Sequence, residues 1–524
     1  MTLITCSSDG SHTVRCIGCC RHRVCSDKQP LQQTHVTWLK HPQATVYLHS
    51  LNQVTRMRSL SLASIAIAAT TLLSACGGSD GDEFTYPGPE GATLAYTQLA
   101  KLANGTEVRN GGFGSAMAKH PTLPGHFYAL TDRGPNAATA AGVTPSGIIF
   151  VSPDYTPRLG LFRLNAQGQV ELVKSTLLRD RNGRAISGLP NKSFGSTGET
   201  PYLLGGGVVA LDPDSDGQTG FDESGLDAEG LVALPDGTFW VSDEYGPHMV
   251  HFNADGREIA RINPFVADTR NKAGRVLPAE LSRRWPNRGM EGLAVMPDGK
   301  TLVGIMQSNL YNPNRTAAGT TDITRIVTIN VDSGAVAQYL YRQDAAGLAN
   351  SEIVALSATK FLVIERDTKF FGRDTGTIRK NIYSIDLAGA TNVDGSNTAL
   401  VSASGGQLVR DASTGLLLSS KTLEQVIKDA AVGTDFSPGW AALAAQGIKP
   451  VAKTLVYDAV AGQKYPHDKM EGLWVIDANT IGIINDDDFA IEPDGQGGVR
   501  QKLLHTGKAD ANTLYVVKTD KPLF

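Results

Sequence analysis

Four times along the chain a short apolar run opens directly behind an acidic residue, turns at a polar corner, and is answered by a second run that ends in polar or acidic residues. The copies begin at Asp227-Ala-Glu229-Gly-Leu, Met290-Glu291-Gly-Leu, Glu352-Ile-Val-Ala-Leu and Met470-Glu471-Gly-Leu. Two apolar runs of this length around Pro-Asp-Gly or a similar corner predict an antiparallel hairpin. Further strand-like runs follow: Gly160–Asn165, Arg325–Asn330, Asn381–Asp386 and Thr513–Lys518, each read as an outer strand behind an inner pair. Repetition of such units, about 40 to 50 residues apiece, predicts an all-β fold, a β-propeller of six or seven blades with loop and short helical insertions.

The pattern is lost over 134–157, 179–199 and 263–286, which are read as insertions. A helical excursion is expected from Leu416 to about Ala445, where Thr422-Leu-Glu-Gln-Val-Ile repeats apolar residues every three to four positions and Gly433 can stop the helix.

Ahead of the repeats lies a different kind of segment. Residues 57–76 run from Met57-Arg58 through an apolar stretch to Leu73-Ser74-Ala75-Cys76, the anatomy of a secretory signal ending in a bacterial lipobox. Cys76 is then the lipidated residue, 77–92 a flexible Gly-rich tether, 93–524 the propeller, and 1–56 a spurious upstream extension. This places the protein in the cell envelope, exported to the periplasm or outer membrane and held by a lipid anchor alone. The alternative for Cys16, Cys19, Cys20 and Cys25, a zinc cluster, is the weaker reading if translation begins at Met57.

Composition narrows the chemistry. The six cysteines all lie at or before Cys76, so the body has neither disulfide nor thiol chemistry. A net charge of −4 without a long basic run argues against nucleic acid as a partner. A monomer acting on a small anionic, phosphorylated substrate is expected.

In a propeller the innermost strands line one channel, so residues at one place of each repeat share a ring; Glu229, Glu291, Glu352 and Glu471 are assigned to it. Close carboxylates must be relieved by a hard cation, by basic side chains or by protons. Arg133, Arg288, Arg366 and Lys469 stand in the same phrases. The structural alternative is that the glutamates only pin neighbouring blades. The second strands end in another polar set, Asp132-Arg133, Asp243-Glu244, Gln307, Arg366 and Asp486-Asp487-Asp488. Oxygen ligands of this kind suit calcium, or another divalent cation such as magnesium, better than zinc. A separate loop from Asp212 through Asp214, Asp216 and Gly217 to Glu223 has EF-hand spacing, with Pro213, Thr219 and a preceding strand as departures.

Together these phrases resemble the phytase-like family, bacterial secreted proteins described by an esterase-like activity of phytase. The matching pieces are Asp132-Arg-Gly-Pro-Asn136, Asp227-Ala-Glu-Gly-Leu231, Trp240-Val-Ser-Asp-Glu-Tyr-Gly-Pro247, Arg288-Gly-Met-Glu-Gly-Leu293, Glu365-Arg-Asp367 and Lys469-Met-Glu-Gly-Leu473 with Asn485-Asp-Asp-Asp-Phe489. Where that family tends to carry Asp-Asn-Asp-Phe, this chain has Asp486-Asp487-Asp488-Phe489, one charge more. The resemblance implies a propeller and hydrolysis of phosphate esters.

The expected mechanism is cation-dependent. Calcium is held by some of Glu229, Asp243, Glu291, Glu352, Glu471 and Asp486, the phosphate is clamped by Arg133, Arg288, Arg366 and Lys469, and Glu244 or His248 serves as acid or base. No Gly-x-Ser-x-Gly elbow supports a serine nucleophile. Two alternatives stay open: a non-catalytic ligand-binding propeller, and a lactone or carboxyl-ester hydrolase on a similar metal-centred propeller.

Overall fold

The computed structural model describes residues 83–143 and 145–524. The upstream extension, the signal segment with Cys76 and the first residues of the tether lie outside them. Among the described residues, five antiparallel four-stranded sheets form the body. Blade one comprises Ala116–Lys119, His126–Leu130, Arg158–Leu164 and Val170–Leu177. Blade two comprises Ala228–Ala233, Phe239–Asp243, His248–Phe252 and Glu258–Ile262. Blade three comprises Met290–Val295, Thr301–Met306, Ile323–Asn330 and Val336–Arg342. Blade four comprises Ala349–Ala355, Lys360–Arg366, Lys380–Asp386 and Ala452–Asp458. Blade five comprises Gly472–Asp477, Thr480–Ile484 and Thr513–Lys518, completed by Ala92–Thr93 from the other end of the body, paired with Leu514 and Thr513.

The first strand of each blade packs beside that of the next, and blade five returns to blade one. The fold is therefore a closed propeller of five blades among the described residues, fewer than the expected six or seven. The missing length is spent on insertions. Residues 387–451, inside blade four, contain a small sheet and the helices Leu423–Asp429 and Ser437–Ala444. The predicted helix begins later than expected, because Gly415–Leu418 is a strand and Thr422 caps the helix through a capping box with Gln425. Insertion 134–157 is not featureless: Asn136–Ala138 and Gly147–Phe150 pair, and Thr200–Leu203 joins them in parallel.

The core lies between blades. Trp240, Met249, Met290, Leu293 and Leu302 fill the space between blades two and three; Ile305, Ile326, Phe361 and Val363 do so between three and four. Strands buried on both faces need apolar side chains on both, which is why their runs are continuous rather than alternating. No helix of the described residues is long and apolar enough to cross a membrane.

The glycine of the Glu-Gly-Leu phrase has a packing cause. A Cβ on Gly292 would stand 2.5 Å from the Ile353 nitrogen and 2.7 Å from the Glu352 Cα, and one on Gly230 would stand 2.5 Å from the Glu291 carbonyl oxygen. Five inner strands converge too closely there for a side chain. Gly292→Ala is expected to lower stability by about 3 kcal/mol through this backbone collision, measured by denaturant unfolding.

Candidate active site

Strand register sets the site. Leu231, Leu293, Ile353 and Leu473 pair with Val241, Gly304, Val363 and Ile483, and Met117 with Ala129, so these five are equivalent. Two residues earlier, the inner strands carry Ser115, Glu229, Glu291, Ser351 and Glu471. Three residues beyond the paired positions, the second strands lead into Asp132, Glu244, Gln307, Arg366 and Asp486. Both rings lie at the end of the propeller where blades connect to one another and second strands to third. The Pro-Asp-Gly corners turn at the other end.

At the ringed end a cavity of about 530 Å³ is lined by Asp132, Asp227, Glu229, Glu244, Glu291 and Glu471, with Arg133, Arg288, Gln307, Arg366, Lys469 and Lys502 among them. One oxygen from each of Asp132, Asp227 and Glu229 falls within 4.8 Å of the others, and all three residues are buried. Asp132 accepts from the Gly134 N–H at 2.8 Å. Asp227 is fixed by its own N–H, which donates to Asp243 at 2.9 Å, and its carboxylate faces the Arg133 guanidinium at 3.3 Å. Glu229, 8 % exposed, has no hydrogen bond to any described residue and points into the cavity. Burial, then the charges of Asp227, Glu291, Glu471 and Glu244, push its carboxyl well above the usual range. Burial, then Asp486 and Asp227, do the same to Asp132. This oxygen-only, mutually repelling set fits a hard divalent cation.

The remaining acids are held by donors. The Gln307 side-chain amide nitrogen donates to Glu244 at 2.7 Å and to both oxygens of Glu291 at 3.1 Å. Glu291, buried and facing Glu471, is pushed up to about 8 despite Arg366. Arg366 pairs with Glu471, lies 3.8 Å from Glu291, and donates to Ser351 at 3.0 Å. Lys469 is occupied by Asp486 and Asp488 at 2.7 Å each. Lys502 spans Asp468 at 2.8 Å and Asp488 at 2.6 Å. Arg288 is exposed at the cavity mouth and has no side-chain partner among the described residues.

Several expected site residues lie elsewhere. Glu352 is out of the ring by one position, at the place of Gly230 and Gly472, because Ser351 takes the glutamate's place. It is wholly buried, accepts from the Ile353 N–H at 2.9 Å, and faces the N–H groups of Met117 and Leu293. Those edges have no strand partner in the channel, so Glu352 acts as its plug, with burial pushing its carboxyl well above the usual range. Because burial disfavours the charged form and the amide keeps the shape and an acceptor oxygen, Glu352→Gln is expected to change stability by less than about 1 kcal/mol, whereas Glu352→Ala loses about 2 kcal/mol or more; calorimetric melting of both checks this.

His248 is no acid or base for the cavity. Its Nε2 bonds the Phe194 carbonyl at 2.8 Å, its Nδ1 contacts Asn263 at 3.1 Å, and burial beside Arg261 holds it well below the usual range and neutral. Asp243 ties the Asp227 and Gly246 N–H groups, each at 2.9 Å, and does not line the cavity. Asp486 stands behind Lys469. In the separate acidic loop, Asp212, Asp214 and Asp216 gather within 4.8 Å, but Glu223 turns away to accept from Ser193 at 2.9 and 2.7 Å, so the twelfth EF-hand position is not met. The sequence placed Asp132 in the polar set suited to calcium but not in the expected cation shell, and Asp227 only in a quoted phrase; Lys502 left no signal.

Relatives are distant. An uncharacterized secreted protein of Arthroderma benhamiae is 28% identical over 345 residues, covering 55% of this chain and 67% of that protein. Among solved structures, the PQQ-bound aldose sugar dehydrogenase of Streptomyces coelicolor matches with a TM-score of 0.26 at 10% identity, over 81% of this chain and 96% of that one. The periplasmic gluconolactonase of Pseudomonas aeruginosa matches with a TM-score of 0.24 at 11% identity, over 79% and 94%. Likenesses so remote do not bear on chemistry. A family model does match most of the body: residues 108–489 fit that of the phytase-like proteins, described as "esterase-like activity of phytase", and the chain belongs to this family.

Proposed function

We propose that the protein is a divalent-cation-dependent hydrolase of phosphate esters, working in the cavity between the two rings. The observation that carries this is the trio Asp132, Asp227 and Glu229, whose buried oxygens converge while Glu229 has no partner. These three would hold calcium or magnesium, which when bound supplies Lewis acidity toward phosphate oxygens and water. Arg288 meets the anionic ester at the mouth. Arg366 and Lys469 act behind it, offsetting the charge of Glu471, Glu291 and Asp486 rather than clamping phosphate. Glu244, oriented by Gln307 at 2.7 Å, is the side chain positioned to hand on a proton.

A carboxyl ester or lactone is the second reading, favoured by the apolar residues Ala137, Ile148 and Ile491 in the cavity lining. Turnover of a panel of phosphate, carboxyl and lactone esters, with and without chelator, tests both: phosphate release that is lost on chelation and returns with calcium or magnesium is expected. Phosphate release that survives chelation overturns the proposal. Export followed by lipid anchoring at Cys76 belongs to the same reading, supported by the 57–76 pattern and by the fungal relative's description as secreted.

A further inference from the structure

Charge in the cavity is mostly spoken for. Ten carboxylates and six basic side chains line it. Five of the six cations already face carboxylates: Arg133 on Asp227 at 3.3 Å, Arg366 on Glu471, Lys469 on Asp486 and Asp488, Lys502 on Asp468 and Asp488, and Arg373 on Glu492 at 2.8 Å. Freeing Arg133, Arg366 or Lys469 for a ligand would strand a buried carboxylate, at the cost that breaking a buried ion pair carries, whereas Arg373 is exposed and Glu492 would keep Arg500. Among the described residues only Arg288 lines the cavity as a cation without a partner. Acids outnumber cations on the walls by four, and carboxyls pushed up by burial, Glu291 to about 8 among them, relieve part of that excess with protons.

Beside Arg288 stands Asn287, which also lines the cavity and whose side-chain oxygen is buried without a partner. Its backbone is left-handed, at φ 53°, a conformation asparagine tolerates, and the bridge between Trp285 and Arg288 closes the turn that presents both side chains at the mouth. The mouth therefore offers one guanidinium fork for one anionic group, with an amide for a neighbouring polar atom. Apolar residues also line the cavity, Ala137, Ala138 and Ile148 of one insertion and Ile491 and Pro493 of another, forming a lip that Glu492 and its partner Arg373 interrupt.

Resting on the reading of this cavity as a phosphoesterase site, we infer that its substrate is a monoester carrying a single phosphate on an uncharged, partly apolar remainder, and that densely phosphorylated polyols are excluded. A polyanion would bring five or more further charges to walls whose other five cations already face carboxylates. Arg288 is the specificity-determining residue, and the apolar lip receives the remainder.

The test uses the full chain loaded with calcium, and measures equilibrium binding as well as turnover for phenyl phosphate and for inositol hexakisphosphate. Phenyl phosphate is expected to bind at least about 10-fold more tightly, and Arg288→Ala to weaken it about 10-fold or more while Arg288→Lys recovers part of the loss. Tighter binding or faster turnover of the hexakisphosphate overturns the inference, as does binding of neither ligand or an Arg288→Ala variant with unchanged affinity. Selective, Arg288-dependent binding of phenyl phosphate without phosphate release sinks the hydrolase reading alone and leaves the assignment of ligand class standing.

Discussion

Glu229→Gln is expected to weaken divalent-cation binding at least about 100-fold and to lower phosphate-ester turnover roughly 1,000-fold, with the fold intact. The change keeps the shape of the side chain and removes a ligand charge from a carboxylate that no described residue engages. Its neighbours Asp227, Glu291, Glu471 and Glu244 all raise the cost of its ionisation. Without a cation the glutamine variant is therefore as stable as the parent or more so, because one repelling charge is gone. Calorimetric titration with calcium, thermal melting in chelator and a turnover assay read the three effects separately. If Glu229 were only a blade pin, the opposite pattern would follow: a lowered melting temperature in chelator with cation affinity unchanged.

Much of this site was legible in sequence, and the failures have local causes. Glu229, Glu291 and Glu471 announce themselves because glycine must follow each of them where inner strands converge. Glu352 imitates the phrase but lacks that glycine: the irregularity that bulges Glu229 between Ala228 and Gly230 recurs between Asn350 and Glu352, where it falls on Ser351, so Glu352 stands one place on, out of the cavity and in the channel. Blade one went unrecognised as a copy since serine replaces the acid, Gly114-Ser115-Ala116-Met117, while its second strand still delivers Asp132 to the ring. Blade count was hidden for two reasons: one blade borrows Ala92–Thr93 from across the chain, and long insertions mimic the length of further repeats. His248 looked catalytic by its company, Asp243-Glu244-Tyr245. The third strand of blade two instead turns its ring against Phe194, Arg261 and Asn263. Lys502 lies in a hairpin with no repeat signature, and only the tertiary fold brings it to Asp468 and Asp488.

Arg366→Met is expected to be the most destabilising single change at the site, by about 3–5 kcal/mol near pH 8. The side chain is 4 % exposed, and its guanidinium pairs with Glu471, lies 3.8 Å from Glu291 and donates to Ser351 at 3.0 Å, so its removal strands two buried acids and a hydroxyl. The pH dependence separates this from a packing loss. Glu291, already pushed up to about 8 by burial and by Glu471 with Arg366 present, binds a proton more readily in the folded than in the unfolded chain. Stability linked to such a raised carboxyl is fully present below its ordinary value near 4.5 and is lost as pH rises through about 8. Without Arg366 the folded-state values of Glu291 and of Glu471, both of which it holds down, rise further; Glu291 then adds to the deficit only above about 8, while Glu471 makes the deficit widen from pH 5 toward pH 8. Denaturant unfolding of parent and variant at both pH values, in chelator, checks the sign. Glu471→Gln in the same chain should restore part of the loss at pH 8, since the pair then has one charge fewer to neutralise. A deficit that is the same at both pH values and is unmoved by the second substitution would mean that Arg366 contributes through its packing rather than its charge.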